Sequence, residues 1–290
     1  MSCKYASSFT KSRSFMQHLP AARPVRAVLL CSAAFALSAC SLWGGKTGSP
    51  AMASLPDADI AYRLAGHGKL PVVFQSGLGD NKEVWADVLP AVEQQHQVLT
   101  YDRPGYGDSP KTAAPRDPCT IAAQQHQLLA KTGLKPPYIL VGNGIGGLYQ
   151  YVYAKMYPQD VAGLVLLDPV HPERWRRLQS EAPTWAMALK ARQALILNAA
   201  KSAEFDAQTQ CLQGIDSKSP LRAPAMLLVR GKFAIEETGP YESVVREQEK
   251  DWQRLVGAPA IERVTGAGPA IQKDNPVIVN EAIRMVAKAR

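Results

Sequence analysis

Two rhythms of apolar and polar positions share most of the chain. Short apolar runs such as "PVVFQ" (71–75), "HQVLTYD" (96–102), "PYILVGN" (137–143) and "VAGLVLLD" (161–168) have the length of strands. "DIAYRLAG" (59–66) precedes them with the alternation of a half-buried strand. Between the runs, apolar residues return at helical spacing, which predicts helices over 81–95, over 119–133 and after the glycines at 144–147. The run at 161–168 is almost wholly apolar, as a strand covered on both faces must be. Strands alternating with helices predict a doubly wound, mostly parallel sheet.

From 169 to 223 the alternation stops. "PERWRRLQSEAPTWAMALKARQALILNAAKSAEFDAQTQCLQ" is helical in pattern, as a cap inserted after the sixth strand would be. "AMLLVRG" (225–231) then resumes strand character. A helix over 241–257, a last strand at "AIERVTG" and an amphipathic helix at "NPVIVNEAIRMVAKAR" close the chain. One domain over 56–290 with a cap at about 169–223 is the economical organisation.

Charge changes the picture only at the N-terminus. The formal net charge of +8 includes Lys4, Lys11, Arg13, Arg23 and Arg26, with no acid in the first 39 residues. Without them, 28 Lys plus Arg face 25 Asp plus Glu, a net of +3. That balance gives no case for a nucleic-acid partner. Arg23 and Arg26 instead precede the apolar run "AVLLCSAAFALSA" (27–39), too short to span a bilayer and suited to a signal peptide, 1–39. Leu37-Ser38-Ala39-Cys40 resembles a bacterial lipobox, which implies acylation of Cys40 and a membrane partner through that lipid. An ordinary secretory signal is the alternative. Ser41 in the following position implies the outer membrane, facing the periplasm, and residues 40–55 read as a lipidated linker. Cys119 and Cys211 then remain in an oxidising compartment, either as a disulfide or as two unpaired thiols.

The stretch "YILVGNGIGGLYQYVYAKMYP" (138–158) carries the chemistry question. A strand, a glycine-rich turn and a helix form the setting in which hydrolases hold a nucleophilic serine as G-x-S-x-G. The frame here is Gly142-Asn143-Gly144-Ile145-Gly146. With "VVFQSGLGD", "LTYDRPGYGDS", "LVGNGIGG", "GLVLLDPVHPE" and "VTGAGPAIQKDNPVIVNEAI" in order, the chain resembles an α/β-hydrolase over nearly all of 56–290. The resemblance implies an oxyanion loop at Leu78 and Gly79, completed by the Ile145 N–H. It places the nucleophile at Gly144, the histidine at Pro269, and the acid at Asp168, Glu236 or Glu237. Only the acid survives as a usable side chain.

Acyl transfer through this frame needs a hydroxyl and an imidazole in hydrogen-bond reach. Glycine offers neither, and proline carries no titratable proton. Of the other histidines, His67, His96 and His126 read as surface or packing residues. His171, three residues after Asp168, is expected to face the ligand pocket. Ser76 and Ser109 read as turn residues. No third ligand joins Asp168 and His171, so no metal and no cofactor are expected. Three functions remain: a silent homologue binding a small apolar or ester-like ligand or acting as a scaffold, an ester or amide hydrolase with a non-standard site, and a purely structural protein with a filled pocket. A buried Asp168 without its imidazole must find other donors or titrate upward in pKa.

Overall fold

The structure, a computed structural model, describes residues 50–289; the signal segment 1–39, Cys40 and residues 41–49 lie outside the described residues. One sheet holds β1 (Pro50–Ser54), β2 (Asp59–Gly66), β3 (Val72–Gln75), β4 (Gln97–Tyr101), β5 (Tyr138–Asn143), β6 (Val161–Leu167), β7 (Ala225–Arg230) and β8 (Ile261–Val264). The strand order is β1-β2-β4-β3-β5-β6-β7-β8. The β1–β2 and β2–β4 pairs are antiparallel, and the remaining pairs are parallel. The expected doubly wound, mostly parallel sheet is present.

Helices cover both faces: α1 (Leu89–Val92), α2 (Pro118–Thr132), α3 (Ile145–Met156), α4 (Arg174–Glu181), α5 (Pro183–Ile196), α6 (Ala199–Ala207), α7 (Pro240–Val256), α8 (Ile271–Asp274) and α9 (Pro276–Lys288). The period-two alternation of the central strands divides the core. Val73, Leu140, Leu164 and Leu227 pack toward α2, α3 and α7, with Leu128, Val152 and Trp252. Val72, Ile139, Val165 and Leu228 pack toward α1, α8 and α9, with Leu89, Ile271 and Ile283.

Two expectations need correction. The linker was expected to run to residue 55, but Pro50–Ser54 pairs with β2 from Pro50↔Arg63 to Ser54↔Asp59. Small side chains hide this strand from hydrophobic pattern, because main-chain pairing at the sheet edge makes it; Pro50 sits at its first position, where a missing N–H is tolerated. The helix expected over 81–95 is broken into a 3-10 turn at Lys82–Trp85 and the short α1. Asn81 Oδ1 accepts from Glu83 N–H (3.1 Å) to start the first piece, and Pro90, which lacks an N–H, opens the second.

The cap is α4 to α6, between β6 and β7. Cys119 and Cys211 are disulfide-bonded, joining the start of α2 to the segment after α6. Asp117, their neighbour, caps α2 through the N–H groups of Cys119 (3.0 Å) and Thr120 (3.1 Å). Beneath the cap the loop after β3 is tied to the loop after β4. Lys82 Nζ, fully covered, donates to Asp102 (2.8 Å) and to Asp108 (2.6 Å).

Candidate functional site

β3 lies between β4 and β5, so the loops leaving β3 and β5 flank the crevice in which open α/β sheets hold ligands. β5 ends at Asn143, and Gly144 turns the chain into α3 with φ +56° and ψ −122°. Both of its main-chain groups are used: the N–H donates to Leu167 O (2.9 Å), and the carbonyl accepts from Gly147 N–H (3.1 Å) and Val170 N–H (2.9 Å). The elbow is thus held against β6 whatever residue occupies it. Gly146 is needed for a different reason. A Cβ there would sit 2.3 Å from Gln75 O, so the first turn of α3 can meet the end of β3 only without a side chain.

At Gly144 the obstacle to a side chain is conformational. The nearest heavy atom to a Cβ would be Gly77 Cα at 4.0 Å, which leaves room. A non-glycine residue held at this positive φ costs about 1–3 kcal/mol. Gly144→Ser is therefore expected to lower the unfolding free energy by about that amount in urea titrations. An unchanged or raised midpoint would mean that the elbow relaxes around the new side chain.

Above Gly144 opens a cavity of about 770 Å³. Gly144, Asp168 and Pro269 all line it, so the structure brings together the three positions that the resemblance assigns to nucleophile, acid and base. Leu78 and Ile145 line it too, and neither N–H has a hydrogen-bond partner among the described residues. Two unpaired main-chain donors thus border the cavity over Gly144. Asn143 holds the opposite wall, donating through Nδ2 to Pro269 O (2.8 Å) and to Leu167 O (3.1 Å). On the cap side Trp175, Leu178, Trp185 and Phe205 provide an apolar wall.

Asp168 has found another donor. Buried, and itself at positive φ (44°), it accepts from Arg230 Nε (2.9 Å) and Nη2 (2.5 Å). The same guanidinium reaches Glu237 through Nη1 (3.1 Å). Burial alone would lower the Arg230 pKa, and the two carboxylates, Asp168 foremost, hold it above its ordinary value instead. One arginine thus binds two of the three candidate acids, while Glu236 lies exposed at the rim. No pattern in sequence announces Arg230, because its partner Asp168 is 62 residues away.

Two expected pocket residues are elsewhere. His171 is buried against the edge of Trp252 and faces α7, away from the cavity. Its Nδ1 accepts from Glu173 N–H (3.1 Å), which leaves the proton on Nε2, donated to Asp251 Oδ2 (2.9 Å). Both nitrogens are used, so the ring has none to offer a substrate. Gly79 also does not line the cavity; its carbonyl turns to accept from Lys201 Nζ (2.9 Å). Ser76 and Ser109 are turn residues, as expected. Ser76 Oγ donates to Asn81 O and accepts from Trp85 Nε1, and Ser109 Oγ donates to Asp102 O.

Burial pushes His171 down to about 4, against the pull of Asp251. Unfolded, the ring titrates near 6.5, so between pH 6.5 and 4 the unfolded chain holds more protons than the native one. Stability should therefore fall as pH drops through that window, by on the order of 3 kcal/mol at roughly 1.4 kcal/mol per pKa unit. Urea midpoints measured every half unit should show the slope, and His171→Gln should flatten it. An equal slope in the variant would assign the acid sensitivity to other groups.

Residues 71–215, half of the chain, match the family described as alpha/beta hydrolase fold. The uncharacterized protein YqjL of Bacillus subtilis (strain 168) is 31% identical over 104 residues, 36% of this chain and 41% of that protein. RutD of Escherichia coli O9:H4 (strain HS), whose name proposes a carbamate hydrolase, is 31% identical over 156 residues, 53% of this chain and 55% of RutD. The chain spans about half the length of these curated relatives. Among solved structures, the epoxide hydrolase CorEH superposes with a TM-score of 0.64 at 18% identity, covering 83% of this chain and 99% of that one. A membrane phospholipase A, described as a bacterial virulence factor, does so at 0.62 and 20%, covering 84% and 86%. At such identities these two show a shared fold.

Proposed function

The chain belongs to the α/β-hydrolase fold family, and we propose that it is a catalytically silent member that binds a small apolar or ester-like ligand in the cavity over Gly144. One observation carries this reading: Gly144 and Pro269, which can neither attack nor move a proton, share the wall of a cavity that is open rather than plugged. The notch at Leu78 and Ile145 remains suited to a ligand carbonyl. The side chains of the right chemistry to replace the lost groups are engaged elsewhere, His171 with Asp251 and Glu173, Ser76 and Ser109 with their own turns. Asp80 argues the same way. It lines the cavity with no hydrogen-bond partner for its carboxylate among the described residues, on the loop that supplies the Leu78 N–H. A negative charge there opposes an oxyanion in the notch.

We further propose that lipid on Cys40 anchors the chain in the bacterial envelope, at the outer membrane facing the periplasm. The lipobox-like Leu37–Cys40 supports this, and a disulfide between Cys119 and Cys211 suits an oxidising compartment.

The test compares esterase activity on short p-nitrophenyl esters for the chain and its Gly144→Ser/Pro269→His variant. The expected result is an inert parent and a gain of activity, with labelling by a fluorophosphonate probe, in the variant. A parent turning over well above the roughly 10³–10⁴-fold acceleration that binding and a notch alone can supply would sink the silent reading and favour a hydrolase with a non-standard site. For the anchor, palmitate labelling in the cell should disappear with Cys40→Ala; labelling that survives would place the lipid elsewhere.

A further inference from the structure

The geometry points to an acyl chain ending in a free carboxylate as the ligand of this cavity, with Arg174 on the cap as its headgroup anchor. The inference rests on the reading of the cavity as a ligand site and goes on to name the ligand's charge and the residue that selects it.

Arg174 opens α4 and is 8% exposed, yet it forms no ion pair among the described residues. Arg103, Arg116 and Arg230, the other arginines buried to this degree, each face a carboxylate. Arg174 Nε donates to Gln248 Oε1, and neither Nη group has a partner. Those Nη groups are not sealed in protein, since Arg174 lines the cavity. Gln248, which holds the guanidinium in place, is itself buried behind it and does not line the cavity. A fixed guanidinium fork without an acceptor, in the wall of a cavity, suits a planar bidentate anion such as a carboxylate.

The surroundings decide where the charge sits. Asp168 and Glu237 are held by Arg230, and Asp274 Oδ2 accepts from Gly268 N–H (2.7 Å), so these acids do not compete for Arg174. Asp80 stays unpaired on the body side, its Oδ2 3.2 Å from where a Gly77 Cβ would be. An anion is therefore repelled from the notch and drawn to the cap. Next to Arg174, Trp175 packs edge-on against Phe205 with ring centroids 5.0 Å apart, and Leu178 lies one turn further along α4. Arg192 and Lys232 also line the cavity but are exposed, so Arg174 is its buried cation without a counter-charge, and apolar contact adjoining such a cation fits an amphiphile better than a small polar anion.

The experiment is calorimetric titration of the full chain carrying Cys40→Ala, which removes its own acylation site, with dodecanoate, dodecan-1-ol and dodecyl phosphate below their micellar concentrations. Dodecanoate should bind about tenfold or more tighter than the alcohol, the ratio a charge-assisted hydrogen-bond pair supplies. Arg174→Gln should erase that preference and leave dodecan-1-ol binding within about twofold, since the apolar wall is untouched. Arg174→Lys, which keeps the charge without the fork, should retain part of it. Equal binding of acid and alcohol to the parent protein would overturn the assignment of Arg174 while leaving an apolar ligand site intact. Tighter binding of dodecyl phosphate than of dodecanoate would overturn the carboxylate. Binding of none of the three would overturn this inference and the ligand-binding reading beneath it, whereas esterase activity in the parent would overturn only the silent reading.

Discussion

Glu204→Leu should lower the stability of the domain by about 3–5 kcal/mol. Glu204 is on α6 in the cap, fully buried, and among the described residues it is the only carboxylate bridging two buried arginines of the body. It accepts from Arg103 Nε (3.0 Å) and from Tyr106 OH (2.6 Å), and it also receives Arg116 Nη2. Arg103 is committed on its other side, donating to Ser76 O (2.7 Å) and Gly77 O (2.9 Å), so it cannot swing out to water when its partner goes. Burial by itself would lower the Arg103 pKa, and the Glu204 carboxylate, together with Tyr106 and Tyr149, more than reverses that. Remove the carboxylate and two guanidiniums remain desolvated without a counter-charge. Arg116 already leaves Nε and Nη1 without partners, so the cluster has no slack. At roughly 2–4 °C per kcal/mol for a domain of this size, the thermal midpoint should fall by on the order of 10 °C. Limited proteolysis should cut first in α4 to α6. Replacing all three ions together with Met, Met and Leu should cost less than the single change, because no charge is then stranded. A loss below about 1 kcal/mol for Glu204→Leu would show that the cap is held by apolar packing alone.

Breaking the Cys119–Cys211 bond should cost the next largest amount, about 2–5 kcal/mol. The two residues are 92 positions apart, so the bond closes a long loop and restricts the unfolded chain strongly. It also acts on the cap from the end opposite to β6, where Cys211 follows α6. The Cys119→Ser/Cys211→Ser variant should unfold at the same urea concentration with and without reductant, and the parent should descend to that value only when reduced. A parent indifferent to reductant would mean that the bond is not formed in the isolated protein. Glu204 and the disulfide both fasten the cap, so their losses are expected to couple rather than add.

These two fastenings mark the limit of what local sequence carries. Period-two and helical patterns specify β2 to β8 and the longer helices because each face must be buried, and burial is visible as spacing. The ordered motifs around Gly77–Asp80, Gly142–Gly146 and Gly266–Pro269 announce the hydrolase frame for a similar reason. A strand must end in a turn that only certain residues allow, and the frame survives although its serine and histidine positions hold glycine and proline. The short β1 escaped because edge pairing is made by main chain, and the broken helix at 81–95 because Pro90 outweighed the apolar spacing around it.

The amino-acid sequence by itself determined the sheet, the cap insertion, and the identity of Gly144 and Pro269 at the elbow and the opposite wall. Tertiary structure alone decided which charges meet. Glu204 found Arg103 across 101 residues, Arg230 took Asp168 across 62, and His171 turned to Asp251 across 80. Each of those pairs is set by where strands and helices end in space, and the cost of burying a charge without a partner makes them obligatory once the fold exists. Among the described residues, the one buried guanidinium that the fold leaves without a carboxylate, Arg174, is for the same reason visible only in three dimensions.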